Sequence, residues 1–559
     1  MYMHFILQAL RAVSHNYPDL MLVCWGQLSA IVYKFLREGT AEIATKSWKE
    51  QAGNTTVFVG EKIVTSSIKV LDECLRAISG FRGTEDLSVE FFLDSPFTSD
   101  CIRTKKVSSA PSYGPKCLED AKEERNTCPS GSQQWAETIE KLMPLILWHI
   151  SAMVRSASVT CFAGITSSVF FTLSKENQDF IVSSLINAAE HDKVPLVRSA
   201  SCRAIGVVSC FQKTPESAEI LGKFIHAVEI NTRDPVVSVR IPASWALANI
   251  CDSLRHFVED FPLKQSTVID SETNFHLVEL LIECALRLTK DGDKVKSNAV
   301  RALGNLARFF RYSSSPCVDK KPARSEPNAF DGGGITSSCP ASLKDLHWLE
   351  RMVQAFISCV TTGNVKVQWN VCHALSNMFL NKTIQLQDMD WAPSVFGILL
   401  LLLRDSSNFK IRIQAAAALA VPETALDYGK SFPDIVQGLE HVVENLGSDS
   451  ISAPSSFKYR IALEKQLTST LLHVLSLASA SDHKPLKDFL VKKASFLEDW
   501  FKMLYSSLGE TSAQSETVGC DSTGQKKEMI YKAVQSMIEV YKSTNQQSIC
   551  QKFKKLVVL

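Results

Sequence analysis

Net charge is what this sequence has least of: 60 Lys and Arg residues face 59 Asp and Glu, leaving a formal +1 over 559 residues. A protein whose affinity comes from neutralising phosphates carries a basic excess, and a disordered chain carries fewer apolar residues than the 45% found here. The bulk of the chain must therefore fold. A long apolar run is also missing. The longest uncharged apolar run near the middle, Val395 to Leu403, falls far short of the ~20 residues of a membrane helix. The start, MYMHFILQALRAVSH, lacks the basic region, sustained apolar run and small-residue cleavage site of a signal peptide. Among 16 cysteines no pair is spaced CxxC, and Cys161, Cys202, Cys251, Cys284, Cys359 and Cys372 lie inside apolar helical patterns, where a thiol behaves as a small hydrophobe. A reducing compartment, cytoplasmic or nuclear, is expected, with no membrane partner.

Catalytic signatures are equally scarce. The Gly-rich run from Asp331 to Ile335 has no Lys-Ser or Lys-Thr after it to cradle phosphate. Twelve histidines show neither H-x-x-x-H nor Cys/His ligand spacing, and no G-x-S-x-G elbow occurs. No catalytic residue, metal or cofactor is expected, and the chain reads as no enzyme. The pairs and triplets of lysine at Lys526-Lys527 and Lys552, Lys554 and Lys555 read as solvated helix ends, with no sustained basic stripe for nucleic acid.

What the chain does have is a repeated pattern. An aliphatic residue, usually followed by a basic one, recurs with a small residue seven positions on and a large apolar residue eight positions on. Its instances start at Val154, Val197, Val239, Val295, Val367 and Ile411. Position 7 holds Cys161, Ala204, Ala246, Ala302, Ala374 and Ala418; position 8 holds Phe162, Ile205, Leu247, Leu303, Leu375 and Leu419. The starts lie 43, 42, 56, 72 and 44 residues apart, and a period of about 40 to 47 is that of helical HEAT and armadillo arrays. Arg311 to Ser342, rich in Ser, Pro and Gly, reads as a loop inserted in the longest interval; a shorter insertion is expected near Phe261 to Asn274. A second apolar helix precedes most instances, over 180–189, 220–230, 275–289, 349–360 and 395–404. The intervening turns carry Asp192, Asp234, Asp291 with Asp293, Asn364 and Asp405, good helix N-cap types. Asp192 precedes Arg198 by six residues and Asp234 precedes Arg240 by six, so such pairs can bridge neighbouring repeats as a structural ladder.

The D-x-x-x-x-x-R spacing ahead of an A-L-[GAS]-N run resembles the HEAT repeat. The whole arrangement resembles the HEAT repeat-containing protein 6 family, in a plant-type form, chiefly through VQWNVCHALSNMFLN (367–381) and VKSNAVRALGNLARF (295–309). The resemblance covers Gln134 to Leu508 best. It implies an all-α fold, an armadillo/HEAT-type α-solenoid with a right-handed superhelix, and supplies no catalytic residue. Relative to that family, Met1 begins inside a helix pair, so upstream repeats are expected to be lacking. The expected organisation is N-terminal helical repeats over 1–80, a flexible linker over 81–134, a repeat array over 135–508 with its inserted loop at 311–342, and a polar loop with a capping helix over 509–559.

Helical geometry then singles out a face. At 100° per residue, positions 0, 3 or 4, 7, 8 and 11 share one buried stripe, while positions 6 and 10 lie one turn apart, about 100° to 140° from its centre. Those two positions hold Trp245 and Asn249, Arg301 and Asn305, then His373 and Asn377; Trp369 sits at position 2. Second helices line the concave surface of HEAT-like stacks, so these seven residues are the candidate partner-binding groove. Trp245-Ala-Leu-Ala-Asn249 also resembles the Trp-x-x-x-Asn signature of karyopherin-alpha armadillo repeats, in which Asn bonds an extended peptide's backbone and Trp packs on its side chains. Two readings stand: a ligand-contacting groove, or an Asn bonding a neighbouring helix and a Trp packing at the core's edge. The expected function is a monomeric scaffold or adaptor binding a partner protein on its concave face, with a karyopherin-like peptide receptor and a nucleic-acid-binding solenoid as alternatives.

Overall fold

The computed structural model describes residues 6, 9–10, 13, 17–47, 59–81, 131–211, 213–260, 272–309, 341–446, 454–512 and 520–558. Among them every regular element is helical and no strand occurs. The fold is an all-α helical-repeat solenoid. Its residues group into two compact units, one ending at Leu306 and the other running from Ala307 to the C-terminal end. Most of the expected linker, the inserted loop up to residue 340, and residues 261–271 of the shorter insertion lie outside the described residues.

In the first unit, α1 (Trp25–Ser47) packs on α2 (Val59–Ile78), whose Ile68, Leu71, Leu75 and Ile78 are buried. After short helical turns over 132–146 come α3 (Ala152–Cys161) and the pairs α4 (Lys175–His191) with α5 (Pro195–Val208), α6 (Ala218–Asn231) with α7 (Val237–Asp260), and α8 (Glu272–Leu288) with α9 (Asp293–Phe309). Helices α2, α3, α5 and α7 pack in series, the second-helix layer of the unit. The second unit holds α10 (Ala341–Thr362) with α11 (Val365–Phe379), α12 (Ala392–Asp405) with α13 (Phe409–Leu419), and α14 (Phe432–Asn445) with α15 (Pro454–Ser476). It ends with α16 (Lys484–Lys492), α17 (Ala494–Ser512), α18 (Cys520–Ser543) and α19 (Gln547–Val558).

The aliphatic register explains why these helices pack. Every residue at positions 0, 7 and 8 of the six instances is at most 2% exposed. Position 7 must be small because neighbouring second helices approach there, and position 8 fills the gap beside it. Helix α13 is the limiting case, with all nine residues from Ile411 to Leu419 buried by α11, α12 and α15 around it. Buried on every side, the helix keeps even its polar Arg412 and Gln414 inside, and its Ala415–Ala418 run keeps it thin.

Two local expectations need correction. Asp192 and Asp405 are not N-caps: α5 has Val194 there with no capping side chain and Pro195 behind it, while Asn408 caps α13. Asn364 does cap α11, accepting the Lys366 and Val367 amides. At the C-terminal end, α18 already starts at Cys520, inside the stretch read as polar loop, and α19 follows as a separate helix. Asn545, in the left-handed region at φ 58°, turns the chain between them. Phe553 of α19 then packs against Tyr541 and Phe501.

Candidate functional site: the inner positions and the turn ladder

The turns between paired helices carry the most regular polar structure in the first unit. Arg155 donates from Nε and Nη2 to Asp192 (2.7 and 3.0 Å), Arg198 from Nε to Asp234 (2.8 Å), and Arg240 from Nε and Nη2 to Asp291 (2.7 and 3.2 Å). Each arginine also reaches back through Nη1: Arg155 to the His149 and Ile150 carbonyls, Arg198 to that of Asp192, Arg240 to those of Asp234 and Pro235. One guanidinium thus ties its own turn to the next. Each aspartate in turn fixes its own loop: Asp192 accepts the Val194 amide, Asp234 that of Val236 and Asp291 that of Gly292. The six-residue spacing in the sequence names the middle of this ladder and misses its ends, Arg155 and Asp291.

These pairs are half-buried, and their protonation equilibria show it. Burial acts to raise Asp192, but the Arg155 guanidinium and the Val194 amide outweigh it and leave the carboxyl below its ordinary range. Asp291 is held low by Arg240, against the opposing effect of burial.

A second device links repeats from inside. Carbonyls in the last turn of a helix lack intrahelical partners, and in this chain a side chain from the following repeat supplies one. Asn231 Nδ2 donates to Ala189 O (2.9 Å) and Asn249 Nδ2 to Gly206 O (3.0 Å) in the first unit. In the second, Asn381 Nδ2 donates to Ala307 O (2.8 Å) and Thr470 Oγ1 to Ala416 O (3.0 Å).

The groove candidates separate on this basis. Asn249 is fully buried; its amide donates to Gly206 O, and its Oδ1 accepts from Arg301 Nη2. Asn305 is buried and its Oδ1 accepts from Arg255 Nε at 3.1 Å. Trp245 is 8% exposed, with the Arg203 guanidinium stacked 4.2 Å from its ring centroid. Gly206 makes that seat possible: a Cβ there would stand 2.6 Å from the indole and 2.9 Å from the Ala246 Cα. For these three residues the geometry is that of helix-to-helix bonding and edge packing. Arg301 is half-buried, as are Trp369, His373 and Asn377 of α11. The rings of Trp369 and His373 meet edge to face at 4.1 Å.

Sequence reasoning passed over Arg203, which occupies position 6 one repeat before Trp245. Burial and the nearby charge of Arg76 hold its pKa below the ordinary value. The column at position 6 thus reads Thr160, Arg203, Trp245, Arg301, His373 and Ala417. Positions 0, 7 and 8 keep one residue class throughout, whereas this column changes chemistry at nearly every step.

Paired helices packed in series make this an all-α helical-repeat fold. No family model matches the chain. A Dictyostelium discoideum protein described only as uncharacterized is 25% identical over 431 residues, 61% of this chain and 27% of that protein. The chain therefore spans about a quarter of that relative's length. Among solved structures, a designed armadillo repeat protein is 16% identical, covering 50% of this chain and 98% of its own, with a TM-score of 0.33. An engineered protein is 16% identical over 75% of this chain and 99% of its own, TM-score 0.35. A computationally designed armadillo repeat protein for modular peptide recognition is 18% identical over 52% and 98%, TM-score 0.30.

Among the described residues, no group of His, Cys, Asp or Glu could hold a metal ion. Ten of the cysteines among the described residues are free, nine of these buried. Burial pushes the Cys202 and Cys372 thiols up to about 12, leaving them protonated and poorly nucleophilic.

Proposed function

We propose that the chain is a non-enzymatic scaffold that binds a partner protein through the inner positions of its second helices. The observation that carries this reading is the variable column: within a register that repeats its core residues, the residues left exposed or half-buried at position 6 are Thr160, Arg203, Arg301 and His373, with Trp245 and Ala417 buried between and after them. Packing needs the core positions to stay alike; a recognition surface needs its side chains to differ. The contact residues on this reading are Arg203 and Arg301 in the first unit and Trp369, His373 and Asn377 in the second. Trp245, Asn249 and Asn305 hold the neighbouring helices that present them. Kinship with the HEAT repeat-containing protein 6 family belongs to the same proposal, supported by the two strings over 295–309 and 367–381.

The test is affinity capture with the wild type and an Arg203→Ala, Arg301→Ala, Trp369→Ala, His373→Ala variant whose helical circular dichroism is unchanged. Loss of specific wild-type interactors supports the reading; undiminished capture of all of them removes this face from it. The karyopherin-like alternative is weakened because Asn249 already uses both ends of its amide within the protein. Saturable binding of a basic peptide in a fluorescence titration would restore it. A nucleic-acid role requires steeply salt-dependent association, and an absent gel shift at low salt removes it.

A further inference from the structure

The ladder has a consequence beyond stability: it places four consecutive turns side by side along one edge of the first unit. Arg155 joins the turn at 148–153 to that at 191–196, Arg198 joins the latter to 232–237, and Arg240 joins that to 290–294. Because the aspartates of these turns face inward onto arginines, they do not set the outward character of the edge. Instead, apolar side chains project from it. Trp148 is 66% and Ile150 70% exposed, on either side of His149, whose buried ring accepts the Ser151 amide at 3.0 Å. The inward turn of that one residue drives its two neighbours outward. Met153 and Leu196, each just before its pattern start, and Val237, two residues before the next, are exposed as well. Lys193, Lys290 and Lys294 stand exposed among them, while the adjacent acids Glu190 and Asp293 are half-buried. Arg233 is paired with Glu229 and adds no net charge.

We propose that this edge docks on an anionic membrane surface, with Trp148, Ile150 and Met153 entering the interfacial zone and the three lysines facing lipid headgroups. The largest apolar groups of this edge project into water from turns tied by the arginine ladder. Apolar tips flanked by lysine combine the two signals that reversible membrane attachment uses, insertion and attraction to acidic lipid. Tryptophan in particular favours the headgroup level. No helix among the described residues is long and apolar enough to cross a membrane, and a surface contact requires none. The inference is independent of partner binding at the inner positions.

The experiment is co-sedimentation of the full chain with vesicles of phosphatidylcholine alone and of an equimolar mixture with phosphatidylserine. Binding is expected to the mixed vesicles only and to weaken as salt rises. The Trp148→Ser, Ile150→Ser, Met153→Ser variant should bind about tenfold or more weakly. Lys193→Glu with Lys290→Glu and Lys294→Glu should remove the preference for acidic lipid. Should the triple serine variant fold poorly, brominated-lipid quenching of tryptophan emission gives an independent readout, present in the wild type and reduced in Trp148→Phe. No sedimentation with the mixed vesicles, or wild-type binding by a folded triple serine variant, overturns the proposal. So does a chain that ignores vesicles but loses a co-purifying protein on the same substitutions, which would put a protein on this edge.

Discussion

The two units use one helical register and join their repeats differently. In the first, position 1 is arginine in three successive repeats, and each guanidinium bridges to the next turn's aspartate. In the second, that position holds Gln368 and Arg412, which bond back to carbonyls just before their own helices: Gln368 Nε2 to Val360 O (3.0 Å) and Arg412 Nε to Leu403 O (2.8 Å). The difference lies in the partner. Where a turn aspartate faces the guanidinium, charge-assisted bonding between repeats results. The second unit's turns offer Asn364 and Asn408, whose side chains are occupied as helix caps, and Asp405, which pairs with its own neighbour Arg404 and reaches no other repeat's position 1. Its repeats are joined by the neutral bonds of Asn381 and Thr470, by apolar burial around α13 and, nearer the C-terminal end, by the Lys493 pairs with Glu440 and Glu444. A shared core pattern therefore fixes how helices stack without fixing how successive turns are tied.

The largest effect that would break this contrast is expected from Arg198→Met, which leaves the Asp234 carboxylate, 6% exposed, without its bidentate partner. A loss of about 3 kcal/mol follows from stranding one member of a buried pair, measured by urea unfolding. A loss under about 0.5 kcal/mol, the scale of an exposed pair, would show that the ladder is decorative. Next comes Gly206→Ala, whose Cβ collides with Trp245 and the Ala246 backbone. It should cost about 2 kcal/mol by overpacking and shift the Trp245 environment in near-ultraviolet dichroism. Gln368→Met in the second unit removes only a neutral bond to Val360 O and should cost about 1 kcal/mol. A value equal to that of Arg198→Met would erase the distinction between the units.

Acid sharpens the comparison most finely. Asp192 and Asp291 have folded pKa values below their ordinary 3.8, so their contribution is present above about pH 4 and fades as pH falls through the folded values. Glu440 of α14 goes the other way. Burial raises it above its ordinary 4.5, partly offset by Lys493, so its contribution is fullest at low pH and is lost as pH rises through the folded value. Hydrogen exchange between pH 5 and pH 3, within about two units of these ordinary values, should show protection in the first unit's turns falling relative to that around Glu440. Parallel loss in both places would contradict the assignment.

Much of the fold was readable because period and residue class are local properties. The six pattern starts, their small position 7 and their large position 8 define second helices that the structure buries as a set. The preceding helices cover the expected spans to within a residue at their C-terminal side or beyond it, and all begin earlier; α10, expected over 349–360, begins at Ala341. Caps were harder to read, since Asp192 and Asn364 both suit an N-cap on residue type. Only the backbone shows that one closes a turn ahead of Pro195 and the other starts a helix. The candidate groove was half legible. Helical angle placed positions 6 and 10 beside the buried stripe, but angle says nothing of how closely the neighbouring helix approaches.

By itself, then, the sequence determined the helical class, the repeat register, the core residues and the spacing that lets Asp and Arg meet across turns. Each follows from the 3.6-residue period and from the burial of apolar side chains. Tertiary structure alone decided what the polar residues do. Asn249 could have reached a ligand, but Gly206 lets the two repeats come near enough for its own carbonyl to accept that amide. Trp148 and Ile150 could have been core, but a buried His149 between them turns both to the outside. Apolar burial adds up along a helix and so can be read residue by residue, whereas a hydrogen bond depends on where a second segment stands.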